Sequence, residues 1–83
     1  MKPTRQEAAA EVLAEMKRWL RLSARTYTAQ VQLFALKLPP GKLIEALWVA
    51  QAKKPAGGMP AWRYFCGVCH TMSRELNAEY LRN

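Results

Sequence analysis

Five consecutive residues, Cys66-Gly67-Val68-Cys69-His70, carry the only obvious chemistry in the chain. They spell C-x-x-C-H, the pattern of covalent haem attachment. Two thioethers would join the cysteines to haem vinyl groups, and His70 would be an axial ligand. The context speaks against it. The N-terminus, Met1-Lys2-Pro3-Thr4-Arg5-Gln6-Glu7, runs into an amphipathic pattern and not into an apolar export signal. Attachment of this kind normally takes place outside the cytoplasm. Only 13 residues follow His70, which leaves little chain to close the far side of a haem. Met72 is too near to reach round it, so Met59, Met16 or another upstream group would have to supply the sixth ligand.

Other site chemistries fare no better. A thioredoxin-like redox pair needs a strand before its C-x-x-C helix, and none is predicted. Zinc normally takes four ligands, whereas two Cys and the single His supply three, with Cys69 and His70 pointing in different directions on a helix. There is no Asp, Ser23 and Ser73 lack a His within reach, and Gly57-Gly58 is not a phosphate-binding loop. The expectation is therefore no catalytic residue, no cofactor and no metal. Cys66 and Cys69, three apart on one helix face, are read as small buried apolar residues. His70 is read as a surface or boundary residue. Gly67 is expected to let another helix pack closely, at a cost of about 1 kcal/mol in helix propensity.

The elements that position these residues read as helices. Thr4 and Glu7 have the spacing of a capping box. After them Ala9, Val12, Leu13, Met16, Trp19 and Leu20 recur at helical spacing, with Glu7, Glu11 and Glu15 on the opposite side. This predicts a first helix over residues 5–22. Residues 27–34 read two ways. Tyr27, Ala29, Val31 and Leu33 alternate with polar residues as in a strand, yet Tyr27, Val31, Phe34, Ala35 and Leu38 fit a helix face. A lone strand would have no partner, which favours a helix over 26–38. Pro39-Pro40-Gly41 stops it. A third helix is expected over 42–53, with a stripe of Leu43, Ile44, Leu47 and Trp48. Pro55-Ala56-Gly57-Gly58 makes a loop, and Pro60 suits the first turn of a fourth helix over 60–81. Its stripe is Trp62, Phe65, Cys66, Cys69, Met72, Leu76 and Tyr80. The expected architecture is a single all-α domain over residues 1–83, a compact bundle of about four helices.

At 83 residues such a domain lies near the lower limit for folding alone. Its 51% apolar share is enough to build a core, which argues against wholesale disorder. The net charge is +7, and ten basic residues against one acid lie between Lys17 and Arg74. A basic middle attracts nucleic acid, an acidic protein face or anionic lipid; the alternative is a solvated surface that serves solubility. The most apolar region, Val31 to Ala52, is broken by Lys37, Pro39-Pro40-Gly41, Lys42 and Glu45 and is not a bilayer span. No membrane role is expected, and the location is read as cytoplasmic.

Two surfaces qualify for a partner. One is the start of the fourth helix, where Arg63 and Tyr64 point away from the core stripe, with His70 and Arg74 further along. Arg and Tyr are over-represented at interface hot spots, although Tyr64 would equally pack on a neighbour. The other is the outer face of the third helix, Ala46, Val49 and Ala50, which is either central in the fold or a groove for a partner helix. Lys53 and Lys54 flank it. A DNA-binding helix-turn-helix has the right outline over Tyr27 to Lys53, but its second helix would present Glu45, Ala46 and Val49 to base edges. If nucleic acid binds, Arg63, Tyr64, His70, Thr71 and Arg74 are the better readers, with Lys53 and Lys54 on the phosphates.

The stretch from Leu43-Ile44-Glu45-Ala46 through Gly57-Gly58 to Trp62-Arg63-Tyr64-Phe65-Cys66-Gly67-Val68 resembles the C-terminal helical module of DnaD-like replication initiators. It covers about 40 residues. By size, and over Trp62 to Met72, the whole chain also resembles the QseM-type small antiactivators, which hold quorum-sensing-controlled transfer of rhizobial integrative and conjugative elements in check. That resemblance implies a regulator that binds a LuxR-type transcriptional activator and a second activator of excision. It brings no mapped functional residues. The expected function is protein–protein regulation, by covering the DNA-binding or dimerisation face of an activator. Direct nucleic-acid binding, as a replication or transcription accessory, is the alternative.

Overall fold

A computed structural model describes residues 3–82, and side chains as far as residue 79. The first helix, α1 (Arg5–Trp19), opens on the predicted capping box. The Glu7 amide donates to the Thr4 hydroxyl and the Thr4 amide to the Glu7 carboxylate, each at 3.1 Å. Two of the otherwise unsatisfied N–H groups of the first turn are met in this way. Ala8, Val12, Met16 and Trp19 are buried, while Ala9 and Leu13 are only partly so. The seam is therefore centred one residue earlier than the pattern of Ala9 and Leu13 predicts.

α1 also stops three residues short of the expected boundary at 22. Arg21 takes a left-handed backbone conformation, φ 56°, which no helix continues through. A long-range tie holds this stop. The Trp19 indole N–H donates to the Lys54 carbonyl at 2.8 Å, and the Gly58 amide donates to the Leu20 carbonyl at 3.1 Å. The freed end of α1 is thus bonded to the loop before the fourth helix, and Leu20 stays in the core.

α2 (Ala24–Lys37) is a helix and not a strand. Tyr27, Val31, Phe34 and Ala35, with Leu38 just beyond, are buried at helical spacing. Leu38 then adopts an extended conformation, as the residue before Pro39 must. α3 (Pro40–Lys53) begins two residues earlier than expected because Pro40 itself occupies the first turn. α4 (Gly58–Arg82) likewise begins two residues before Pro60. The Tyr80 side chain, assigned above to the stripe of this helix, lies outside the described side chains.

α3 packs against both α1 and α4 and so runs through the middle of the bundle. Its small residues explain how. Ala46 and Ala50 are fully buried beside Leu43, Ile44 and Leu47, and their short side chains let neighbouring helices approach. Trp48 corrects the sequence reading. Its spacing places it in the core stripe, but it is 63% exposed. With five residues already buried on one face, the position about 100° beyond Leu47 falls outside it.

The remaining core is aromatic, where α2 meets α4. Phe34 stands edge-on to Phe65, with ring centres 6.0 Å apart. Phe65 stacks on Trp62 at 5.8 Å, and Trp62 meets Tyr27 at 6.3 Å. These are the offset and edge-to-face arrangements that aromatic rings prefer. Among the described residues there is no strand, and no helix is long and apolar enough to cross a membrane.

Candidate interaction surface on the third and fourth helices

Side chains on α4 advance by about 100° per residue, and this fixes what each predicted site residue faces. Phe65 and Cys69 turn into the core. Arg63, Gly67, His70 and Arg74 follow one another along the outward face and are exposed. Tyr64, Val68, Thr71, Met72 and Glu75 lie on the flank that turns toward α3. With Arg63, Gly67 and Val49 they line a groove of about 590 Å³. Three predicted partner residues, Val49, Arg63 and Tyr64, therefore meet at one groove.

The other four stand apart from it. His70 leans the opposite way, toward α2, with its ring edge-on to Phe34 at 5.3 Å. Arg74 is exposed further along the outward face. Lys53 and Lys54 end α3, and the Lys54 carbonyl is held by Trp19. Val68, Met72 and Glu75 were missed as lining residues. The spacing puts Met72 and Leu76 in the core stripe, and both are half-buried beside the core, not within it.

Gly67 requires a second correction. A helix was expected to pack against it, yet the residue is exposed and a Cβ built there meets nothing within 4 Å. It faces the open groove. Its missing side chain, with the short Val49 opposite, leaves the gap between α3 and α4 unfilled. Since glycine within a helix costs about 0.5–1 kcal/mol relative to alanine, Gly67→Ala will stabilise the free protein by about that amount. A thermal melt followed by circular dichroism will show a midpoint higher by roughly 2–8 °C. An unchanged or lower midpoint would mean that the position is not open.

The cysteines behave as packed groups. Cys69 is fully buried and Cys66 half-buried, slightly less enclosed than expected. Burial pushes the Cys66 thiol up to about 11. Cys69 rises to about 12, through burial first and then through repulsion from Cys66. Both shifts favour the neutral thiol. Any stability they contribute is complete below about pH 8.5, the unfolded thiol value, and is lost as pH rises through 11 and 12. Alkylation by iodoacetamide at pH 8 will be at least about 100-fold slower in the native protein than in urea, because the thiolate is the reacting form. Comparable rates would show that the thiols are open. Haem attachment would require Cys69 to leave the core, and among the described residues no three His, Cys, Asp or Glu side chains cluster to hold a metal ion.

Comparison with family models, with curated proteins and with solved structures finds no match to this chain.

Proposed function

We propose that the chain is a small regulatory protein that grips another protein through the groove between α3 and α4, and that its target is a transcriptional activator of mobile-element transfer. The groove carries this reading. Val49, Tyr64, Val68 and Met72 give it an apolar floor, with Arg63 and Glu75 marking its two ends. Val49 is 37% exposed, and Trp48 beside it is also exposed. Aromatic, Met and Arg side chains are the types enriched at protein interfaces.

From Arg63 to Glu75 the helix rises about 18 Å, or a little over three turns. That length suits an amphipathic partner helix laid along the groove, which is a common way for one helical protein to hold another. The choice of an activator as target rests on the resemblance to QseM-type antiactivators. Inhibition would follow from occlusion: a helix held in the groove is withdrawn from DNA binding or dimerisation.

The test uses a purified LuxR-type activator and its labelled promoter fragment. Adding this protein is expected to release the activator from DNA. Tyr64→Ala combined with Val49→Asp should raise the concentration needed by at least tenfold, while Gly67→Leu should block the groove and act similarly. Release that is absent, or equally strong with all variants, refutes the groove as the contact surface.

A further inference from the structure

Folding sorts the charges of this chain by position along the bundle. Three contacts bring the end of α1, the start of α2, the end of α3 and the start of α4 together. They are Trp19 to the Lys54 carbonyl, Gly58 to the Leu20 carbonyl, and Tyr27 beside Trp62. This end therefore collects Lys17, Arg18, Arg21, Arg25, Lys53, Lys54 and Arg63, all exposed. The one acid among them is Glu15, which pairs with Arg18 at 2.7 Å. The opposite end is mixed. There Arg5, Lys37, Lys42 and Arg74 are offset by Glu7, Glu11, Glu45, Glu75 and Glu79, and Lys42 pairs with Glu45 at 3.2 Å.

We infer that the basic end binds the phosphate backbone of double-stranded nucleic acid without regard to sequence. The molecule is about 25 by 22 Å across its two shorter axes. Among the described residues, the exposed large apolar side chains at or beside this end are Met59 and Val49, which shares the groove with Arg63; the others belong to α2 and to α3 before its last turn. A protein partner would need an apolar centre in its contact patch, and a membrane would need apolar side chains to insert beside the charges. A polyphosphate needs neither, because release of its condensed counterions supplies the affinity. The helix dipoles do not decide the matter. α2 and α4 begin at this end while α1 and α3 finish there, so the side chains carry the field. No amide side chain is offered to base edges either, since Gln51 donates to Glu15 at 3.3 Å. The binding is electrostatic and sequence-tolerant. It uses Lys17, Arg21, Arg25 and Lys54 in place of the α4 readers Tyr64, His70 and Arg74.

The experiment is anisotropy titration of a labelled 20-base-pair duplex of arbitrary sequence across potassium chloride concentrations. Four or five phosphate contacts give a slope of log affinity on log salt of roughly −4, and so a loss of a few hundred-fold between about 50 and 200 mM. Two triple variants remove the same net charge from opposite ends. Lys17→Gln with Arg21→Asn and Lys54→Gln is expected to flatten the slope by about 2.7, since each lost contact removes about 0.9. Asparagine is chosen because it tolerates the left-handed backbone of Arg21. Lys37→Gln with Lys42→Gln and Arg74→Gln should leave slope and affinity nearly unchanged. The neutral Gly67→Leu variant should also bind duplex normally, which separates this inference from the groove reading above. Equal losses from both triples, or no duplex binding at 50 mM salt, overturns the inference. So does retention on phosphatidylserine vesicles, lost in the first triple, by a protein that ignores duplex.

Discussion

Gly57→Ala will destabilise the protein by about 3 kcal/mol or more, one of the two largest effects expected of any single substitution here. Gly57 has φ +77°, a conformation that side chains rarely adopt. A Cβ there would also lie 1.9 Å from the Trp19 carbonyl oxygen and 3.0 Å from its carbon. Both are backbone atoms at the end of a helix, so relief requires parting the loop from α1. That movement would strain the Trp19–Lys54 and Gly58–Leu20 hydrogen bonds as well. Gly58 provides the internal control. It has the same φ of +77°, yet its Cβ would meet only the Pro60 ring at 3.7 Å. Gly58→Ala will therefore cost about 1–2 kcal/mol, the backbone term alone. Denaturant melts of the two variants will separate the effects, with midpoints for Gly57→Ala lower by roughly 12–24 °C in a parallel thermal scan. Equal losses would show that the close approach does not exist.

That contact was not legible in the sequence, and the reason is general. Gly57-Gly58 reads as a loop, which it is, but nothing local says that the loop touches the end of α1. The same long-range tie explains why α1 stops at Trp19 when its apolar pattern continues through Leu20. Local signals did well where the cause was local. The capping box at Thr4 and Glu7, the break at Pro39 and the helical spacing of Tyr27, Val31, Phe34 and Leu38 are each decided within a few residues. Trp48 and Gly67 were misread for a shared reason. Both assignments assumed that a neighbouring helix would cover a particular flank of α3 or α4. Periodicity gives the apolar side of a helix but not how many partners that side must serve. Ala46 and Ala50 answer that question for α3, since small residues mark its closest contacts, and the large Trp48 is left outside.

The candidate surface was legible in part for the same reason. Arg63 and Tyr64 could be placed off the core stripe, and Val49 could be marked as too apolar for its position. Bringing them into one groove depends on the crossing of α3 and α4, which spacing does not specify. The charge segregation was hidden in another way. Lys17 to Arg25 and Lys53 to Arg63 are separated by most of two helices in sequence, and the Trp19–Lys54, Leu20–Gly58 and Tyr27–Trp62 contacts bring them together. In the linear chain they read as a diffuse basic middle.

Phe65→Ala is the core counterpart of Gly57→Ala, with an expected loss of about 3–5 kcal/mol. Phe65 is fully buried, and its ring is shared by two elements, stacked on Trp62 within α4 and edge-on to Phe34 in α2. Removing it deletes both ring contacts and opens a cavity. Collapse into that cavity is limited because Phe34 and Trp62 are themselves held, Phe34 by its buried position on α2 and Trp62 by Tyr27. A domain of this length has a total stability of only about 4–12 kcal/mol, so the variant should be partly or wholly unfolded at 37 °C. Tryptophan fluorescence would shift toward longer wavelength as the buried Trp19 and Trp62 rings meet water. Leu36→Ala is the matched surface substitution. Leu36 is 66% exposed on α2, and truncating it should change stability by no more than about 0.5 kcal/mol. Urea melts of the two variants decide the point. A small loss for Phe65→Ala would mean that the aromatic cluster does not hold α2 to α4, and a large loss for Leu36→Ala would mean that its face of α2 is covered in solution.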